Sequence, residues 1–582
     1  MATRRVKTLF GALLLVGIIS LFLVSPTPQI EKIKAKSSSY ANQLPDITTF
    51  HLGGYNPFGP AVHKPAEQKN STSRGSSWHS DWRWLHPFSS AVTLDENRAV
   101  LPPLRRRPNV YTYYDPTTQR KSKAESEADR QLLIAWRRAW FAKGFRPVVL
   151  GPSEARNNPL FESFQSRKLR LGPDVTEDFR KWMAWGSMET GIFVDWLAYP
   201  MAPYDDKFMS YLRKFSGEVE KSQIIKWQKK STPALFAGER ITELFPDGAL
   251  KNYKSKAIAF YDAETITSSY AEVAKKIAEN PADGKQALKD LINAHLQIIF
   301  QNTFTSGINV LQPFSKNASV LSTQSIRLAH LLAECPPSPI PKSCPPNQHF
   351  CTPCSDKLHM KTTAIEEYTK DDNAYTIGAV PHPYTLTGLL QHSMDFSVAY
   401  LRRNTTRDNW LTKVSESLLK QGVTELTRIV AFKDIIAGDT GFYRNLFMTL
   451  ESFPDKAGEH NLPEETLRHL DWHFGFVVPR RISGESDADA TKAKKPEKES
   501  QAHWLEQFAL AKDARQIIRI GLEEEKKSSD HNNLKAKLDL KAATEAWSIG
   551  DTEIWKFARA YLVRDIVERE KWESEEKGFA GS

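Results

Sequence analysis

Four acids and two histidines stand where they could do chemistry. Asp115 and Asp195 each follow a β-branched or aromatic run that ends there, and Asp205 and Asp206 come one short turn later, after Ala202-Pro203-Tyr204. Carboxylates at the carboxyl ends of parallel strands lie where open α/β sheets hold ligands, and there they can grip a divalent cation that bridges phosphates. The plainer roles are an Asp-Pro turn for Asp115 and a loop cap for Asp195. His382 is held between Pro381 and Pro383, and His473 alternates with Trp472 and Phe474 on what reads as a strand face shared with Asp471. Either imidazole could complete a metal or diphosphate site, and either could equally be a core histidine with one nitrogen satisfied. All four cysteines, Cys335, Cys344, Cys351 and Cys354, fall within twenty residues of proline-rich chain. Zinc favours two close pairs and only Cys351 and Cys354 are close, so two disulfides are expected, with three pairings open. The chain has no Gly-x-Ser-x-Gly elbow, His-Glu-x-x-His pair or Gly-x-x-x-x-Gly-Lys loop, so hydrolase and ATPase readings lack support.

The elements that would position these groups alternate. Val110–Tyr114 reads as a strand, and residues 125–143 read as a helix with Trp136 and Trp140 inward, Arg137 and Arg138 outward, and Gly144 as the stop. Residues 146–150 form the next strand. A helix follows, capped by Asp174 or Thr176, with Phe179, Met183 and Gly186 along one face, and a third strand runs over Ile192–Trp196. Three strands with two helices make half of a doubly wound sheet. Later strands are expected at 257–261, 375–380 and 474–478. Amphipathic helices are expected over 270–300, and Trp547, Trp555, Phe557 and Tyr561 are spaced as a helical packing stripe.

With 582 residues, 40% hydrophobic and 25% charged, the chain can build several packed units. A mean hydropathy of −0.48 excludes a polytopic membrane protein. The net charge of +10 is spread along the chain, with no basic block beyond Arg105–Arg107, which argues against nucleic acid as a partner. Arg4, Arg5 and Lys7 precede an apolar run over residues 9–24, closed by Ser25-Pro26. Its length suits the thin membranes of the early secretory pathway, and the basic flank keeps residues 1–8 cytosolic. We read it as a type II signal anchor in the lipid bilayer, in preference to a cleaved signal peptide or a mitochondrial presequence-like anchor. The body is then lumenal, in the Golgi or endoplasmic reticulum, and Asn70, Asn317 and Asn404 are glycosylation sequons. The expected plan is a stem over 25–104, an α/β domain over 105–483 carrying the Cys/Pro loop 335–354, a charged loop over 484–500 and a helical region over 501–582.

Several stretches carry a resemblance: Ala135–Trp140, Gly144–Leu150, Lys181–Gly186, Pro200–Asp206, Thr376–Leu386 and Asp471–Phe476. In these the chain resembles a fungal family of membrane-anchored, glycosyltransferase-like proteins. More distantly it resembles the Asp-x-Asp sugar transferases of the initiating α-1,6-mannosyltransferase and capsular polysaccharide type. That resemblance implies a mixed-sheet nucleotide-sugar fold of the GT-A type, with helices on both faces and a helical C-terminal subdomain. It also implies a nucleotide-sugar donor, a glycan or glycoprotein acceptor, and manganese or another divalent cation. In the Asp-x-Asp enzymes a helix leads into Gly-Gly-Ile-Tyr-Leu-Asp-x-Asp. The matching stretch here is Thr190–Leu197, so Asp195 retains the first acid and Leu197 replaces the second. Donor binding then falls to Asp195 and Asp115, with Asp205, Asp206, His473 and His382 as possible further metal ligands. A degenerate, non-catalytic binding protein is the competing expectation.

Overall fold

A computed structural model describes residues 62–64, 104–117, 121–166, 173–188, 191–214, 225–229, 232–238, 257–311, 323–346, 348, 351–355, 360–365, 371–380, 436, 444–449, 462–482, 557, 561–562 and 564–579. All of these belong to the unit Pro60–Ser582. The residues 9–24, His382, the three sequons, Trp547 and Trp555 lie outside the described residues. Among the described residues, no helix is long and apolar enough to cross a membrane.

The protein is a mixed α/β structure with two main sheets. The first begins with β1 (Asn109–Tyr113), whose last four residues are buried on both faces, as expected of a central strand. Ser122 opens α1 (Lys123–Ala142) by accepting the Glu125 N–H at 3.1 Å. Then come β2 (Arg146–Leu150), the short α2 (Pro152–Arg156) and α3 (Leu160–Ser166), α4 (Pro173–Gly186) and β3 (Gly191–Val194). Strands β1, β2 and β3 are parallel, with Val110 opposite both Pro147 and Ile192. After β4 (Ala198–Pro200) and α5 (Lys207–Lys214), β5 (Ile225–Lys229) and β6 (Thr232–Gly238) extend the sheet antiparallel, in the order β2-β1-β3-β6-β5. Alternation along the strands sorts the core into two faces. Val110, Ile192 and Val194 pack with Leu132 and Trp136 of α1, whereas Tyr111, Tyr113 and Phe193 pack with Met183 and Trp185 of α4.

Next, β7 (Ile258–Phe260) pairs antiparallel with β4, and α6 (Ala263–Ser269), α7 (Ala271–Glu279) and α8 (Pro281–Thr303) follow. Helix α8 starts at an Asn280 cap with proline at its first position and packs along α1. Beyond it, β8 (Gly307–Leu311), α9 (Thr323–Ala333), β9 (Thr362–Ile365), β10 (Ala374–Val380) and β11 (Asn445–Thr449) include the second sheet. It is parallel throughout, in the order β11-β10-β8-β9. The chain then forms α10 (Glu464–Phe474) and, over residues 564–576, α11.

The cysteine loop contains two nested disulfides, Cys335–Cys354 and Cys344–Cys351. It is fastened to α8: Asn302 exchanges two hydrogen bonds with the Thr352 backbone, and Gln301 donates to the carbonyl of Glu334 at 2.8 Å.

Two expectations are corrected. Residues 471–474 close α10, and Gly475 caps that helix with φ +83°, so the strand expected over 474–478 does not form. The run Asp-Trp-His-Phe fits a last helical turn as well as an alternating strand, and the glycine stop decides for the helix. Arg137 does not face outward: it is buried, its guanidinium 4.8 Å from the Trp572 ring. The face of α1 expected to meet water is covered by α10 and by Trp572 of α11, in a cluster of Phe141, Trp472 and Trp572.

Candidate functional site

In the order β2-β1-β3, the chain leaves β1 for β2 through α1 on one face, then reaches β3 through α4 on the other. The connections diverge between β1 and β3. At such a switch point the loops at the carboxyl ends part and leave a crevice that ligands can occupy. Asp115 follows β1 and Asp195 follows β3, so the topology brings these two predicted residues to one edge.

Their states differ. Asp115 is buried; its Oδ1 accepts from the backbone and hydroxyl of Thr117 at 2.8 and 2.6 Å, and Oδ2 lies 3.5 Å from Arg180 of α4. It is a turn-former tied to a cation. Asp195 is half-buried, and its Oδ1 accepts the Leu197 N–H at 2.8 Å, while Oδ2 makes no hydrogen bond among the described residues. Burial pushes its carboxyl above the ordinary aspartate value, with Glu177 and Asp262 adding to the rise; the Leu197 N–H and Lys181 oppose it. Leu197 packs its side chain on the core, and its carbonyl accepts the Tyr261 N–H. The position that carries the second acid in Asp-x-Asp enzymes is therefore turned to the interior. Trp196, also half-buried, meets Tyr114 edge-on at 5.8 Å and forms an aromatic wall beside Asp195.

The other predicted ligands are engaged elsewhere. Asp206 caps α5 by accepting from the backbone of Phe208 and Met209, and Asp205 pairs with Arg444, which also holds Asp372. His473 sits in α10, its Nε2 3.1 Å from the Tyr375 hydroxyl, and burial beside Arg107 and Arg105 lowers it to about 3. A histidine so depressed is neutral at any physiological pH. Among the described residues, no group of three or more His, Cys, Asp or Glu side chains is arranged to hold a metal ion. Asp195 Oδ2 has no hydrogen bond among the described residues, while Asp205 and Asp206 are each committed through one oxygen, to Arg444 and to the α5 cap, and His473 to Tyr375, so the predicted ligands are not gathered into a site for manganese.

Two networks at this edge escaped the sequence reading. Asp129 of α1 is buried and binds Lys121 at 2.6 Å, Lys285 at 2.7 Å and the Tyr114 hydroxyl at 3.0 Å, while Lys285 also holds Glu125 at 2.8 Å. Its signal was an acid on the same helical face as Leu132, Leu133 and Trp136. Near β7, the Tyr261 hydroxyl and His295 Nδ1 are 2.8 Å apart, and His295 Nε2 lies 3.0 Å from Ser343 of the cysteine loop. Ser343 donates onward to the Ile340 carbonyl at 2.7 Å, so it anchors the loop and is not activated as a nucleophile.

The chain matches the model of a family described as Domain of unknown function (DUF8765), over residues 72–244 and 240–582. It belongs to that family. No curated protein and no solved structure matches the chain.

Proposed function

We propose that the protein is a lumenal glycosyltransferase-like protein that takes a nucleotide-sugar donor into the crevice between β1 and β3, for transfer to a glycan or glycoprotein. The observation that carries the reading is the open Oδ2 of Asp195 at the switch point of a sheet whose parallel strands give way to antiparallel ones at β6. A half-buried carboxylate there can accept from sugar or ribose hydroxyls. Arg180 beside Asp115 and Lys181 near Asp195, both on α4, supply positive charge for a diphosphate. The strand arrangement also supports a sheet of the GT-A type. The two disulfides support an oxidising compartment, as a lumenal body behind an anchor at 9–24 requires.

A second reading, a binding protein without transfer activity, is favoured by the inward turn of Leu197 and by the engagement of Asp205 and Asp206. One experiment separates the two. The full chain is titrated calorimetrically with uridine and guanosine diphosphates and with their sugar conjugates, with and without chelator, and sugar release is followed in the same samples. Saturable, chelator-resistant heat with sugar release supports the transferase, and heat without release supports the binding protein. No heat with any nucleotide overturns both.

A further inference from the structure

His63 lies in the segment that reads as stem, yet it is buried in the folded unit. Its Nδ1 is 3.0 Å from Oε1 of Glu154 in α2, and its Nε2 is 3.0 Å from Oε1 of Glu576 at the end of α11. Its backbone N–H also donates to Glu154 at 3.0 Å, and its ring stacks on Phe579 with centroids 3.6 Å apart. Both glutamates are buried, at 0% and 2% exposure. A neutral imidazole has one N–H and one lone pair, so one of these contacts would set lone pair against carboxylate. Only the doubly protonated ring satisfies both. Its pKa is accordingly raised to about 9, the two hydrogen bonds and charges of the glutamates outweighing burial.

We infer that this Glu–His–Glu triad is a charge-operated clasp that fastens both ends of the folded unit to the sheet at one point and releases them together. The chain segments it joins are 91 and 513 residues from His63 in sequence. Glu154 is itself tied to the sheet, since its Oε2 accepts the N–H of Gly151, the residue leaving β2, at 2.6 Å. The other charged or titratable groups facing the clasp are Arg137 of α1 on Glu576, Tyr111 of β1 on Glu576, and Tyr113 of β1 on Glu154. Of these, Arg137 is cationic and offsets the net negative charge of the triad. When the imidazolium loses a proton, one carboxylate oxygen faces a ring lone pair inside a dry site, and the strap at 62–64 and the helix at 564–576 lose their shared fastening.

The test is hydrogen exchange of the full chain, read by mass spectrometry from pH 7 to 10.5 and corrected for the intrinsic rate. Peptides covering 62–64 and 564–579 should lose protection together with a midpoint near 9, while α1 and α8 keep theirs. His63→Phe keeps the stack on Phe579 but has no ring N–H; both segments should be unprotected already at pH 7, and the step near 9 should vanish. Glu576→Gln preserves shape and removes one charge, so the midpoint should fall by a pH unit or more. Wild-type protection that persists through pH 10, or two segments opening at separate pH values, overturns the clasp. So does a His63→Phe protein that keeps both segments protected. The wild-type titration decides alone if a variant fails to fold.

Discussion

Asp195 concentrates the functional reading in one oxygen atom, and its environment separates function from stability. Burial raises its folded pKa, so the charged form is disfavoured in the native state and contributes no stability at neutral pH. Asp195→Asn retains an oxygen for the Leu197 N–H and removes the unfavourable charge. Its melting temperature at pH 7 should equal or slightly exceed that of the wild type, while nucleotide affinity falls by about 1–3 kcal/mol, from roughly fivefold to more than a hundredfold in Kd. Calorimetry and thermal denaturation of the pair check this; a clear drop in melting temperature with unchanged affinity makes Asp195 a loop cap. Leu197→Asp is the converse. It would set a carboxylate against the core beside a backbone already committed to Asp195 and Tyr261, so it should cost about 2 kcal/mol or more of stability, read by denaturant unfolding, without creating a metal site.

Elements were legible in the sequence wherever their local signals agreed. The strand at 146–150 is found as expected, and so is a helix before β3, although that helix begins at Pro173, ahead of the expected cap at Asp174 or Thr176, and ends at Gly186, a residue expected on its face. Legibility failed where packing overrode pattern. Arg137 of α1 is buried because a helix from the far end of the chain covers it, and periodicity within one helix cannot report a partner more than 400 residues away. The pairing of Asp205 with Arg444 was hidden for the same reason, whereas the cap role of Asp206 is local to the start of α5. The contact between α7 and α8 makes its own prediction. A Cβ on Gly284 would stand 2.3 Å from the Ile277 Cα, so Gly284→Ala should destabilise the protein by about 1–3 kcal/mol, read by chemical denaturation, even though alanine favours helix. The cysteine loop makes another. Alkylation of the native protein should label no thiol, and peptide mapping should recover the nested pairing Cys335–Cys354 and Cys344–Cys351.

At the scale of the molecule, stability should follow the charge of the clasp. His63 has a folded pKa raised to about 9, so its contribution is complete below its unfolded value near 6.5 and is lost as pH rises through 9. That contribution is on the order of 3 kcal/mol. Glu154 is shifted down, chiefly by its hydrogen bonds from His63 and Gly151 acting against burial, so its contribution is lost only as pH falls below the usual glutamate range. Melting temperature measured against pH should therefore be flat in mild acid, decline from about pH 6.5 to about pH 9, and level off above that, with the decline absent in His63→Phe. Topology is tested separately. If the body is lumenal, glycosidase treatment should shift the mobility of the expressed protein through Asn70, Asn317 or Asn404.

The contact between His63 and Phe579 has a geometric consequence. The path of the chain through the folded unit comes in and goes out at the same spot, 3.6 Å between ring centroids. The unit is thus topologically close to a ring. A short peptide joining 579 to 62 would close it without displacing a strand, and circular permutants opened at an exposed loop should remain foldable. A partner fused directly after α11 would emerge next to the strap at 62–64, on the face where Phe579 stacks on His63.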